Sequence, residues 1–320
     1  MTETEVNVMR QAFEAAHSIL IVSHIRPDGD AIGSLIALGL ALQHSGKNVQ
    51  MVLSDGVPSS FRFLEGSSRV RTQPEGGFDL IAVVDCSELG RVENAPNGVL
   101  AEGIVPDINI DHHVTNTRFA RINHIVEDAV ATCEILTELI PALGLTITPA
   151  VANALLAGII TDTLGFRVAG MRPKTLRISA DLMEAGANLH EIYRFSLLQR
   201  SFQAARYWGA GLSTLQREGR MLWAVLSVAD RRAVGYSGRD DADLINVLSS
   251  IHDIDISLIF VEQTDGRVKI SWRAQPGYDV SKVATQFGGG GHVAASGAEI
   301  AGSLEEVQRA VLAATRRLLQ

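Results

Sequence analysis

Apolar residues fall into two rhythms along the first half of the chain. Short apolar runs at 18–22, 49–53, 80–84 and 108–110 are bounded by polar residues and read as strands buried on both faces. Between them the spacing lengthens. Residues 6–17 have the pattern of an amphipathic helix, and 30–45 places Leu35, Ile36, Leu38 and Leu42 at helical intervals. Helices are predicted over 129–143 and over 149–158, the second opened by Pro149, since proline suits a first helical turn. This alternation predicts an α/β fold, a mostly parallel sheet covered by helices on both faces, with ligands gathering at the carboxyl ends of the strands. Residues 173–212 read as helical, with Gly186 as a stop and restart. A second pattern begins near Leu215, with strands at 221–228, 256–262 and 268–272 and helices near 242–251, 280–286 and 304–319. The expected organisation is a first domain over 1–190, a helical connector over 191–212 and a smaller α/β domain over 213–320.

Composition narrows the class. An apolar fraction of 46% and a mean hydropathy of +0.15 describe a well-cored globular chain, and no apolar run is long enough to span a bilayer. The opening segment is acidic, unlike a secretory signal, and Cys86 and Cys133 are the only cysteines, so no disulfide framework is expected. A cytoplasmic location and no membrane partner fit this. The net charge of −8 lies wholly in residues 1–200, with 15 basic against 23 acidic side chains; residues 201–320 hold 13 of each. That balance argues against long duplex nucleic acid, which needs a basic track.

The chemistry is concentrated at the apparent strand ends. Asp111-His112-His113 closes the run ending at Ile110, and three more clusters sit at comparable places: His24 with Asp28 and Asp30, then Asp85, then Asp162. Each alone has a plain structural reading, with Asp28 as a helix N-cap and Asp85 or Asp162 as turn residues. Four clusters of hard oxygen and imidazole donors are not explained by turn chemistry. Together they suffice for two divalent metal ions bridged by a shared carboxylate, an arrangement suited to in-line attack on phosphorus. In the second half, Gly288–Gly291 before His292 is the one low-complexity run. Glycines there let backbone N–H groups turn towards an anion or a base, whereas a flexible loop is the plain alternative.

These residues resemble the DHH phosphoesterase superfamily, in particular its two-domain oligoribonucleases that also act as 3′-phosphoadenosine 5′-phosphate phosphatases. The resemblance rests on Ser23-His24 with Pro27-Asp28-Gly29-Asp30-Ala31-Ile32-Gly33-Ser34, on Val84-Asp85-Cys86 and on Ile110-Asp111-His112-His113. It extends to Thr161-Asp162-Thr163-Leu164-Gly165-Phe166-Arg167 and, near the end, to Phe287 and the glycines leading to His292 and Gly297.

The resemblance implies one ion on His24, Asp28 and Asp85 and a second on Asp30, Asp85, His112 and Asp162, manganese being the usual choice. Asp111 would orient a neighbouring histidine, and His113 would face the scissile phosphate, with Arg167 meeting the same charge. Arg273, in a Ser-x-Arg element, would contact substrate together with Gly290, Gly291 and His292, across a cleft between the two domains. Trp272, of opposite strand parity, is expected in the core, as is Cys86. The implied reaction is hydrolysis of short RNA to nucleoside 5′-monophosphates by metal-activated hydroxide, with phosphoadenosine phosphate as a second substrate. A homodimer is left open. Rival readings are a cyclic- or linear-dinucleotide phosphodiesterase, a processive exonuclease, a manganese pyrophosphatase, and a nucleotide sensor without turnover.

Overall fold

The computed structural model describes residues 3–93, 99–101, 103–168 and 170–319; Met1 and Thr2, at the start of the acidic opening segment, lie outside them. The chain divides into two compact units, Met1–Gln199 and Arg200–Gln320.

In the first unit, strands β1 (Ser18–Val22), β2 (Asn48–Val52), β3 (Leu80–Val84), β4 (Ile108–Asp111) and β5 (Ile122–Ile125) form a parallel sheet in the order β2-β1-β3-β4-β5. Strand parity sorts the side chains. Ile19, Ile21, Ala82, Val84, Ile108 and Ile110 join a continuous core with helices α1 (Glu3–Ala15), α2 (Gly29–His44), α4 (Thr132–Ala142), α5 (Pro149–Asp162) and α6 (Pro173–Glu184). Leu20, Val22 and Val83 point the other way, towards a smaller cluster with Cys86, Val99, Leu100 and Val92 of the short helix α3 (Gly90–Glu93). Helical cover is therefore extensive on one face, while loop residues do much of the covering on the other.

Helix α2 is apolar all round, and nearly all of it is buried, as befits a helix enclosed on every side. Glycines let its neighbours come close. A Cβ at Gly33 would stand 2.5 Å from the Ala154 carbonyl oxygen, and one at Gly158 would stand 2.3 Å from Cys133 Sγ and 2.8 Å from Asp30 Oδ1. Gly158→Ala is accordingly expected to destabilise the fold by about 1–3 kcal/mol through overpacking. Urea unfolding reads this directly, and unchanged stability would mean that the three helices have slack.

Two sequence expectations need correction here. The helix opened by Pro149 does not stop at 158 but continues to Asp162, so Asp162 ends a helix and not a strand. The 173–212 region is not one helix with a single restart. After α6 come α7 (Leu189–Ile192), a π-helical run Tyr193–Leu198 that closes the first unit, and α8 (Phe202–Ser213) in the second.

The second unit has a six-stranded mixed sheet, β10-β11-β9-β8-β7-β6, built from β6 (Gln216–Glu218), β7 (Met221–Leu226), β8 (Ile256–Glu262), β9 (Arg267–Ala274), β10 (Gly290–His292) and β11 (Ala295–Ala301). Only β7 and β8 pair in parallel. Met221, Trp223, Phe260 and Trp272 pack on α11 (Ser281–Gln286) and α12 (Leu304–Arg316). Leu222, Ala224, Leu226 and Ile259 pack on α8 and α10 (Leu244–Leu248). The strand expected to reach 228 ends at Leu226, because Ser227 caps helix α9 (Val228–Val234) with a reciprocal Ser227–Asp230 capping box. The glycine run is not simply a loop: Gly290–His292 pairs antiparallel with β11. Among the described residues, no helix is long and apolar enough to cross a membrane.

Candidate metal centre

The sheet order places β2 on one side of β1 and β3 on the other, so a crevice opens at the carboxyl ends of β1 and β3. His24 follows β1 there, Asp85 follows β3, and Asp111 with His112 and His113 closes the neighbouring β4. Asp85 adopts a left-handed backbone (φ 51°), which aspartate tolerates better than most residues, and its N–H donates to Ile110 O at 2.9 Å. Its side chain is 1% exposed.

Two helix termini, the start of α2 and the end of α5, supply the other three carboxylates. Asp28 caps α2, with Oδ1 accepting the Asp30 and Ala31 N–H groups at 3.1 Å each, while Oδ2 stands 4.0 Å from His24 Nε2. The N-cap reading and a place in the cluster therefore hold together, one oxygen for each. Asp30, on the first turn of α2, accepts the Thr132 and Cys133 N–H groups (2.6 and 2.9 Å) at the start of α4, whose own N-cap, Ala131, has no side-chain acceptor. Asp162, at the end of α5, reaches to 3.6 Å from His112 Nε2.

Two of the donor groups that come together, His24–Asp28–Asp85 and Asp30–Asp85–His112, share Asp85; a further one, Asp85–Asp111–His113, is already closed by the His113–Asp111 hydrogen bond. His24 Nε2 lies 3.7 Å from Asp85 Oδ2, and His112 Nε2 lies 3.8 Å from Asp85 Oδ1 and 3.9 Å from Asp30 Oδ2. These separations are too long for hydrogen bonds. They match two ligands each about 2.0–2.2 Å from a common ion. The histidines can present the correct nitrogen: His112 Nδ1 lies 3.2 Å from Ala129 O and His24 Nδ1 2.7 Å from Ile25 O, so a proton on Nδ1 leaves the Nε2 lone pair towards the carboxylates. Charge argues the same way. Burial, and then the charges of Asp85 and Asp162, hold Asp30 well above the ordinary carboxylate range. Burial would also raise Asp85, but His24, His113 and His112 outweigh it and keep that carboxyl low. Buried carboxylates crowded in this way call for a cation, and the oxygen and imidazole donors fit a divalent metal.

Beside them, His113 Nδ1 donates to Asp111 Oδ1 at 2.7 Å, and Asn116 Nδ2 donates to Asp111 Oδ2 at 2.6 Å. Burial lowers the His113 pKa, but the Asp111 hydrogen bond and the charges of Asp85 and Asp111 reverse this and raise it to about 9. Arg167 is exposed and forms no ion pair among the described residues; its Nε donates to Leu164 O at 2.7 Å. It ends a turn in which Leu164, Gly165 and Phe166 are all left-handed (φ 49°, 73° and 66°).

In the second unit, Arg273 on β9 has a buried Nε without a hydrogen-bond partner among the described residues, and Trp272 beside it is fully buried on the opposite face. His292 is exposed on β10. Gly291 (φ 133°) is required by its surroundings, since a Cβ would meet Ala295 O at 2.6 Å, whereas Gly290 faces open space. Sequence reasoning missed Thr132, whose Oγ1 donates to Asp85 Oδ1 at 2.9 Å, and Asn116. Neither has a spacing signal; only the fold brings them in.

A parallel sheet with this donor set at its switch point, followed by a mixed α/β unit, defines the DHH class. Residues 18–159 match the DHH family, N-terminal domain, and residues 221–320 match the DHHA1 domain. The chain is 34% identical to the bifunctional oligoribonuclease and PAP phosphatase NrnA of Thermus thermophilus, over 94% of this chain and 90% of that protein. It is 28% identical to the Mycoplasma genitalium protein of the same name, over 90% of each. An exopolyphosphatase-related protein from Bacteroides fragilis has the same fold, with a TM-score of 0.89 and 27% identity over 99% of this chain and 96% of that one. The chain belongs to the DHH family, in the branch that joins a DHHA1 domain and includes these bifunctional relatives.

Proposed function

We propose that this protein is a divalent-metal-dependent phosphoesterase that hydrolyses very short RNA to nucleoside 5′-monophosphates and removes the 3′-phosphate of 3′-phosphoadenosine 5′-phosphate. The observation that carries the reading is Asp85, one buried carboxylate shared by two donor groups. The names of the two bifunctional relatives support the substrate class. In this reading His24, Asp28 and Asp85 hold one ion, and Asp30, Asp85, His112 and Asp162 hold a second, manganese in both. Bound there, the ions supply Lewis acidity towards a phosphoryl oxygen and lower the pKa of water.

The protein's own groups do the rest. Asp111 fixes the His113 ring through Nδ1, so that Nε2–H is aimed as a donor to a phosphoryl oxygen whose charge grows in the transition state. Asn116 fixes Asp111 in turn. Arg167 adds positive charge, held by its own turn. Thr132 steadies Asp85 without neutralising it. Arg273, Gly290, Gly291 and His292 recognise the nucleotide away from the cleaved bond. A short substrate suits an acidic chain, because long strands are held by counterion release from basic tracks. A cytoplasmic site of action goes with that substrate.

The decisive experiment is a manganese-supplemented panel of RNA of graded length, phosphoadenosine phosphate, cyclic dinucleotides and pyrophosphate. Turnover of dinucleotides and phosphoadenosine phosphate is expected to lead. Fast cleavage of cyclic dinucleotides or pyrophosphate, with none of short RNA, would overturn the reading.

The division of labour gives a further expectation. Arg273→Ala or His292→Ala should lower kcat/KM for a dinucleotide strongly while sparing metal content and a small activated phosphodiester, since remote binding energy helps only substrates that carry the remote group. Equal losses on both substrates would assign these residues to the fold instead.

A further inference from the structure

Arg91 lies on α3, a short way after Asp85 in sequence. Its carbonyl accepts the Ile25 N–H at 3.0 Å, which ties α3 to the loop carrying His24. Its guanidinium is partly buried, with Nη2 2.9 Å from His24 Nδ1, and it pairs with no carboxylate among the described residues. That is unexpected in the acidic half of the chain, where a partly buried arginine has many potential partners.

His24 Nδ1 has one role at a time. It lies 2.9 Å from an obligate donor, Arg91, and 2.7 Å from an obligate acceptor, Ile25 O. If Nδ1 accepts from Arg91, the ring proton sits on Nε2 and points at Asp28 and Asp85. If Nδ1 donates to Ile25 O, Nε2 turns its lone pair to those carboxylates, and Arg91 faces an N–H that cannot receive its hydrogen bonds. The tautomer that suits a cation at His24–Asp28–Asp85 therefore frees the guanidinium on the Nδ1 edge of His24.

We propose that Arg91 is an anion-binding residue of this site, its guanidinium fork holding the phosphoryl group that reacts. A planar fork of N–H donors matches phosphoryl oxygens two at a time, and a lysine supplies only a point charge. The inference rests on the phosphoesterase reading and adds to it the residue that orients the phosphoryl group from the α3 side. It differs from the roles of Arg273 and His292, because it predicts equal importance for large and small phosphoesters.

The test uses the full-length, manganese-loaded protein with Arg91→Gln and Arg91→Lys. Three quantities are read: bound metal, calorimetric affinity for inorganic phosphate, and kcat/KM for a dinucleotide and for the small activated phosphodiester. Bound metal is expected to stay constant. Phosphate affinity should weaken clearly, and both kcat/KM values should fall by about 10²–10³, as when one transition-state donor is removed. Arg91→Lys should recover only part of the loss. Unchanged phosphate affinity, a loss confined to the dinucleotide, or metal loss in step with rate would each overturn the proposal, the last by making Arg91 a support for His24. If the parent protein hydrolyses no phosphoester, the functional reading fails, and phosphate calorimetry still decides whether Arg91 binds the anion.

Discussion

Asp85→Ala is expected to abolish turnover on every substrate and to strip the protein of tightly bound metal. Asp85 is the one carboxylate common to both donor groups, so its loss removes a ligand from each. It is also the acceptor for Thr132 Oγ1, and His24, His112 and His113 all approach within 4 Å of it. Alanine at a left-handed φ of 51° adds strain of about 1–2 kcal/mol. Asp85→Asn is therefore the cleaner companion, since asparagine tolerates that conformation and keeps the side-chain volume. Metal analysis after gel filtration, with a rate assay on the same sample, checks both. A folded Asp85→Asn protein that kept its metal and a near-normal rate would sink the assignment.

His113→Ala should behave differently. Metal content should stay, and the rate should fall by about 2.7–4 kcal/mol of transition-state stabilisation, or 10²–10³-fold. The reason is the orientation of the ring, with Nδ1 committed to Asp111 at 2.7 Å. In the metal-free protein its pKa, raised to about 9, keeps the ring charged at neutral pH. A histidine raised in the folded state contributes stability that is complete below its ordinary pKa near 6.5 and disappears as the pH climbs through about 9. Metal loss in this variant would make His113 a ligand and reverse the division of labour within the histidine pair.

The contrast between what could and could not be read from sequence has a physical cause. Strands β1, β3 and β4 are short apolar runs with a polar residue immediately after, and in a parallel sheet that position is the site. His24, Asp85 and the Asp111–His113 triplet were legible for that reason. Asp162 was identified as a candidate but misplaced, because α5 is buried all round and carries no amphipathic period to tell it from a strand. Strand β5 went unseen because Ile122–Ile125 is short and half polar at the sheet edge. Strand β10 went unseen because glycines carry no side-chain pattern. Arg91, Asn116 and Thr132 are single polar residues in loops or at helix starts, and only long-range contacts give them a role.

The engagement of Asp30 with α4 reaches beyond catalysis. Its two oxygens take the amides of Thr132 and Cys133, residues more than a hundred positions away, so the carboxylate is docked by backbone alone. Zinc-finger-like domains unfold when stripped because the ion itself closes their chain. Here a helix start does that closing, and the core lies elsewhere, in α2, α5 and the sheet. On the proposed reading, stripping the metal is expected to leave the fold intact and the protein inactive, ready to be reloaded without a new round of folding.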